Sequence, residues 1–190
     1  MLRTYNEPQA VAARAQPLTG LFFHTVWGMS VKRFCTVGLL ACVLAGAAGA
    51  GDWEDGYADY QRRDFPAAVK KWRNVAEAGN PNAQSLLGEM YAFGQGVPLN
   101  YPEAVRWLRM AAAQGVAKAH FKLGSMYEKG HGFTKNPAMA HRWYSLADAA
   151  GHPEAYKDRQ RMAALLDAKT IQDSDRWVDA CVKSLYKGCE

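Results

Sequence analysis

The sequence lacks a concentrated basic region. Its formal net charge of +5 at pH 7 comes from 23 basic and 18 acidic side chains among 190 residues. Four of the basic side chains and only one acidic side chain fall in residues 1–50, which leaves 19 basic and 17 acidic side chains in residues 51–190. Domains that bind nucleic acid usually gather Lys and Arg on one face or along one helix. The charge distribution therefore predicts no nucleic-acid partner.

The sequence also lacks the residue patterns that hold metals, cofactors or catalytic groups. Residues 51–190 contain four histidines, and none of them forms the His-x-x-x-His spacing that places two metal ligands on one helix face. The same range has no Gly-x-Ser-x-Gly nucleophile elbow. Its two Gly-x-Gly pairs follow helical patterns, whereas a phosphate-binding loop opens a helix. We therefore predict no catalytic residue, no metal site and no cofactor, and hence no enzyme.

Cysteine is scarce, with four residues in the whole chain. Cys35 and Cys42 lie in the N-terminal fifty residues, so residues 51–190 keep only Cys181 and Cys189. An even number of cysteines in an oxidising compartment favours a disulfide. We predict a Cys181–Cys189 disulfide, with two free thiols as the alternative.

No apolar run matches the ~20 residues of a transmembrane helix. Residues 29–50 contain, in order, two basic residues, a shorter apolar run and the small-residue sequence Ala-Gly-Ala. This order is typical of a secretory signal peptide. We predict a signal peptide over residues 29–50, with cleavage between Ala50 and Gly51.

The 28 residues before Met29 are unusual for an export signal, and our hypothesis is that residues 1–28 are a non-native extension and translation starts at Met29. The mature chain is then expected to be periplasmic or secreted and not inserted in the membrane. Two alternatives remain open. The apolar run could stay attached as a membrane anchor, or Cys42 could be acylated as in a lipoprotein.

A long internal repeat organises the rest of the chain. The stretch "LGEMYAFGQGVPLNYPEAVRWL" at residues 87–108 returns as "LGSMYEKGHGFTKNPAMAHRWY" at residues 123–144, a displacement of 36 residues without a gap. Periods of this length are typical of solenoid repeats. The register divides the domain at 51–190 into three units, at about 52–80, 81–116 and 117–152, followed by C-terminal capping helices over 153–190.

Each unit is expected to form two helices. Asp64, Asn100 and Asn136 recur at the same place in the register, each with a Pro within two residues, as expected for N-cap residues followed by a first turn that tolerates proline. Gly88 and Gly124 recur inside the first helix of their units, where glycine costs roughly 1 kcal/mol relative to alanine. The repetition of that cost predicts a close helix–helix contact. The fold class that follows is all-α: an α-solenoid, a right-handed superhelix of stacked helix-turn-helix repeats.

The pattern Ala-x-x-x-Leu-Gly-x-x-Tyr-x-x-Gly-x-Gly-Val, followed by Ala-x-x-Trp and a small-residue helix, resembles the Sel-1-like repeat. This family is related to the tetratricopeptide repeat and has a longer loop between its helices. Residues 82–117 follow the pattern well, and residues 118–153 follow it with Phe133 in place of the usual Val. The resemblance implies a scaffold or adaptor that binds another protein, often exported in bacteria.

The positions at which the two full repeats differ are the candidates for partner binding. By analogy with tetratricopeptide folds, the first helix of each unit lines the binding side. The residues that differ there, and that we predict to face a partner, are Gln84, Ser85, Glu89, His120, Phe121, Lys122 and Ser125. The alternative is neutral drift on a solvated surface.

Two other functions compete with the scaffold. Some exported, cysteine-rich relatives are linked to β-lactam binding, but they carry a cysteine pair in each repeat, which this chain lacks. A structural protein of the cell envelope, without one particular partner, is the other alternative. The sequence favours a non-catalytic protein-interaction scaffold in the bacterial cell envelope.

Overall fold

The computed structural model describes residues 51–189, and every regular element in that range is an α-helix. The predicted all-α solenoid is therefore confirmed. In chain order the helices are α1 (51–61 within the described range), α2 (Phe65–Glu77), α3 (Pro81–Phe93), α4 (Tyr101–Ala112), α5 (Ala117–Lys129), α6 (Pro137–Ala149), α7 (Ala155–Ala163) and α8 (Ala168–Lys183). The predicted signal peptide at 29–50, the segment at 1–28 and Ala50 lie outside the described residues.

The predicted caps set the starts of the second helix in three successive units. The side chain of Asp64 accepts a hydrogen bond from the amide of Ala67 at 3.2 Å. Asn100 and Asn136 do the same for the third residue of α4 and α6, at 3.1 and 3.0 Å. Each bond satisfies one of the amides that a helix leaves free at its N-terminus.

The core follows the 36-residue register. The α3/α4 and α5/α6 pairs form hairpins, and each hairpin packs on the next. Trp72, Trp107 and Trp143 lie in the second helix of their units and are all buried. A row of aromatic side chains therefore runs through the stack, with one buried tryptophan from each of these units.

Close approach explains the two helical glycines. A Cβ atom on Gly88 would lie 2.6 Å from Leu108 Cγ, and one on Gly124 would lie 2.8 Å from Tyr144 Cδ1. Non-bonded carbon atoms do not approach so closely, because their optimal separation is about 3.5–4.0 Å. The glycines let α3 approach α4 and α5 approach α6, as the repeated glycine predicted.

The C-terminal end of the described chain packs on α6. Helix α8 contacts α6, and its start is capped by Asp167, which accepts a hydrogen bond from the amide of Thr170 at 2.7 Å. After α8, the chain turns back and a disulfide joins Cys181 to Cys189. The turn places the Tyr186 ring 5.0 Å from the His120 ring, so the tail covers part of the preceding hairpin.

We expect reduction of the Cys181–Cys189 disulfide to lower the free energy of unfolding by about 2.5 kcal/mol, because the cross-link restricts a short loop in the unfolded chain. Urea denaturation with and without a thiol reductant measures the difference. The Cys181→Ala/Cys189→Ala variant serves as the control, since its stability should not respond to the reductant. An unchanged midpoint for the parent chain, with complete thiol labelling after reduction, would contradict this expectation.

Candidate functional site

Three of the seven predicted partner-facing residues lie inside the protein. Gln84, Ser85 and His120 are 2%, 3% and 1% exposed. These three positions cannot meet a partner in this structure, so the prediction that they face one is wrong. The difference in residue type between the repeats does not mark a solvent-exposed surface at these positions.

Gln84 and His120 make the same contact from equivalent places in the register. Gln84 Nε2 donates to the carbonyl oxygen of Ala76 at 3.0 Å, and His120 Nε2 lies 3.0 Å from the carbonyl oxygen of Ala112. In each unit a side chain of the first helix thus reaches back to the last turn of the preceding helix. Carbonyls at helix ends lack partners within their own helix. Both side chains therefore join one repeat to the next.

The other four predicted residues come together. Glu89, Phe121, Lys122 and Ser125 all line one cavity of about 230 Å³ between α3 and α5. We call this cavity the α3/α5 groove. Its full lining is Glu89, Ala92, Phe93, Tyr101, Leu108, Phe121, Lys122, Ser125, Met126, Lys129 and His131.

Charge in the groove centres on one carboxylate. Glu89 Oε2 lies 2.9 Å from Lys118 Nζ, and Glu89 Oε1 lies 3.6 Å from Lys122 Nζ. The Glu89 side chain is only 16% exposed, whereas the side chains of Lys118 and Lys122 are 47% and 29% exposed. The carboxylate is therefore held inside the wall, and the ammonium groups face solvent.

Aromatic side chains form the remaining walls. Phe93 is 63% exposed at the end of α3. The Tyr101 and His131 rings stack with centroids 4.8 Å apart, and Phe121 stacks on His152 at 4.1 Å. These stacked pairs fix two walls of the groove, whereas the Phe93 ring presents most of its surface to solvent.

Several residues that line the groove were not predicted, although they also differ between the two repeats. Phe93 and Lys129 occupy one position of the 36-residue register, both reach solvent, and both line the groove. His131 stands where the preceding unit has Gln95. The differences that matter here lie at the end of the first helix and in the loop that follows it.

A cluster of polar groups beside the groove is internally paired. The Tyr144 hydroxyl donates to Glu128 Oε2 at 2.7 Å, and the Arg161 guanidinium binds the same carboxylate. The hydrogen bond from Arg161 lowers the pKa of Glu128, and burial raises the pKa of the Tyr144 hydroxyl. Glu128 is therefore ionised at neutral pH, and Tyr144 keeps its proton. The cluster ties α5 to α6 and α7.

One short motif invites comparison with serine enzymes that act on β-lactams. Ser184 and Lys187 have the Ser-x-x-Lys spacing of those enzymes. On a helix this spacing would place both side chains on one face, but the two residues between them, Leu185 and Tyr186, have φ of 54° and 64°. The Ser184 hydroxyl is within 2.9 Å of the carbonyl oxygens of Cys181 and Lys187. It therefore closes a turn after α8.

Two further properties concern the described part of the chain. Within residues 51–189, no group of three or more His, Cys, Asp or Glu side chains is arranged to hold a metal ion. No helix in this range is both long and apolar enough to cross a membrane.

The comparisons with known proteins agree with this geometry. The sequence profile of the Sel1 repeat matches residues 81–116 and 117–152. The chain contains two Sel1 repeats. Sel1-repeat folds are typically scaffolds without catalytic activity, and they generally mediate contacts between proteins. No curated protein matches the sequence.

Two solved structures share the architecture of this chain. One is a protective antigen present in uropathogenic Escherichia coli strains that displays an SLR fold, with 23% identity, a TM-score of 0.68, and coverage of 74% of this chain and 31% of the antigen. The other is a Sel1 repeat protein from Oxalobacter formigenes, with 33% identity, a TM-score of 0.55, and coverage of 58% and 47%. This chain thus spans about a third to a half of these proteins, and the antigen supports the fold alone.

Proposed function

We propose that this protein is a non-catalytic scaffold or adaptor of the bacterial cell envelope, binding a partner protein in the α3/α5 groove. The observation that carries the proposal is the convergence of four non-repeating residues on one open cavity. Residues that vary between otherwise equal units and also line an open cavity are not fixed by packing inside the framework. Repeat solenoids present such residues along their binding surfaces.

The size of the groove supports a protein partner. Its volume of about 230 Å³ is below the ~300–1,000 Å³ of sites that enclose small molecules. It accommodates one or two side chains from a partner. The exposed Phe93 ring at its edge is the kind of aromatic residue that anchors protein interfaces.

Site-specific photocrosslinking tests the scaffold. A benzoylphenylalanine at position 93 should capture the same one or two proteins in repeated experiments. The same probe at Met110, which is 38% exposed and lies outside the groove lining, is the matched control. A captured protein, once purified, should bind the parent chain and lose affinity for a Phe93→Ala variant. Equal capture from both positions would count against the groove.

Location in the periplasm or outside the cell is part of the proposal, and it is supported by the signal-like order of residues 29–50. Cell fractionation with intact-mass measurement tests it, and the expected mature chain starts at Gly51. Recovery in the cytosol with residues 29–50 attached would contradict export. Nitrocefin hydrolysis by the purified protein that disappears in Ser184→Ala would instead favour the β-lactam alternative.

A further inference from the structure

We infer that the α3/α5 groove selects an acidic peptide segment that carries one aromatic or large aliphatic side chain. The inference rests on the proposed function and specifies the chemistry of the partner. The charges, the exposed Phe93 ring and the volume of the groove support it.

The ammonium groups in and beside the groove outnumber its carboxylates. Glu89 is the one acidic residue among the groove's lining residues, and two lysines, Lys118 and Lys122, already share it. Lys129 adds a third ammonium group to the same wall. Because Lys118 keeps Glu89 paired at 2.9 Å, Lys122, which lies 3.6 Å from the same carboxylate, can turn towards a carboxylate of a partner without leaving Glu89 unpaired. The excess positive charge favours an acidic segment.

An apolar contact lies directly beside this charge. Lys122 Nζ sits 5.4 Å from the centre of the exposed Phe93 ring. The deeper lining includes Leu108 and Met126, which are 0% and 5% exposed. Methionine side chains adapt to differently shaped apolar groups. A large apolar side chain can therefore fill the cavity while acidic neighbours reach Lys122 and Lys129.

Other occupants fit the charges less well. Residues 1–50 of this chain carry four basic and one acidic side chain, so their charge has the wrong sign. A second copy of the chain is also net positive. Single-stranded nucleic acid would place phosphates near Glu89, and three lysines do not form the basic stripe that such ligands need.

Fluorescence anisotropy with defined peptides tests the inference on the full chain. The probe is a fluorescein-labelled peptide with the sequence Gly-Asp-Glu-Phe-Glu-Asp-Gly. Comparison peptides replace Phe with Ala, or replace all four acids with Lys or with Gln. We expect the first peptide to bind at least tenfold more tightly than each of the others, and binding should weaken with salt because the charges are solvent-exposed.

Variants of the protein locate the binding site. Lys122→Glu and Lys129→Glu should each weaken binding of the acidic peptide at least fivefold. Lys70→Glu makes the same charge change on the exposed side of α2 and should have no comparable effect. Far-UV circular dichroism and thermal unfolding check that the variants remain folded. Equal weakening by all three variants would indicate a non-specific charge effect and would overturn the inference.

The remaining outcomes separate the inference from the proposed function. Equal binding of the acidic and Gln-substituted peptides would overturn the charge selection and leave the groove as a docking site. Capture of a protein at position 93 without binding of any peptide would also overturn the charge selection and leave the groove as a docking site. Tighter binding of oligouridine than of the acidic peptide, again lost in Lys122→Glu, would overturn the protein partner. Failure of both peptide binding and crosslinking would overturn both.

Discussion

Replacement of Gly96 by alanine is expected to lower the free energy of unfolding by about 2–5 kcal/mol. Gly96 has φ of 73°, where a residue with a Cβ atom costs roughly 1–2 kcal/mol. The new Cβ would also lie 2.4 and 2.5 Å from the carbonyl carbon and oxygen of Phe65, at the start of α2. Backbone atoms cannot move aside as a side-chain end can, so the helix start itself must shift. Overpacking of this kind adds about 1–3 kcal/mol.

The equivalent glycine of the next repeat provides the control. Gly132 has φ of 76°, so Gly132→Ala meets the same backbone strain. Its Cβ would lie 3.1 Å from Tyr101 Cβ and 3.3 Å from Val105 Cγ2, both of them side-chain atoms. We expect a loss of about 1–2 kcal/mol, mostly from the backbone strain. Urea denaturation of both variants measures the difference. The dependence of the free energy of unfolding on urea concentration should be the same in both, so that the midpoints can be compared directly. Equal losses would show that the contact with Phe65 has no effect on stability.

Acid should destabilise the protein through His120. Burial lowers the pKa of His120 to about 4, against about 6.5 in an unfolded chain. Because the unfolded state binds the proton more readily, the stabilisation is complete above pH ~6.5 and is lost as the pH falls towards 4. A difference of 2.5 pKa units corresponds to about 3 kcal/mol. Burial lowers the pKa of His141 and His152 as well, so the total loss includes other groups.

His120→Gln isolates the contribution of His120. Glutamine occupies this place in the preceding repeat, where Gln84 makes the same bond to a helix-end carbonyl. The variant should therefore keep the contact with Ala112 without titrating. Between pH 6.5 and 4, we expect the free energy of unfolding of the parent chain to fall by about 3 kcal/mol more than that of the variant. Parallel curves for the two proteins would contradict this assignment.

The sequence predicts the fold because each repeated position has a structural role that depends on nearby residues in the chain. Asp64 and Asn100 cap helices through their own side chains, and Gly88 permits a close contact. Such roles can be identified without knowing the neighbouring helices. Where the register ends, this advantage is lost: Asp167 caps the last helix, but it does not fall on the 36-residue spacing of Asp64 and Asn100.

The site is only partly predictable, because a difference between repeats does not reveal which way a side chain points. Gln84 and His120 differ in type, yet both are buried and make equivalent contacts. Phe93 and Lys129 also differ, and both line the groove. Distinguishing these two cases requires the burial of each residue. That depends on neighbouring helices, which the local pattern does not specify.

The link between repeats has a consequence for how such chains grow. Residues 81–116 contain Gln84, whose side chain bonds to a carbonyl of the preceding unit. They also contain the Ala112 carbonyl, which His120 of the following unit contacts. A tandem duplication of this segment would therefore add one side chain that reaches back and one carbonyl that accepts the contact. Chain length can therefore evolve in steps of one whole unit without new residues at the junction. An insertion between Ala112 and His120, by contrast, would separate that side chain from its carbonyl.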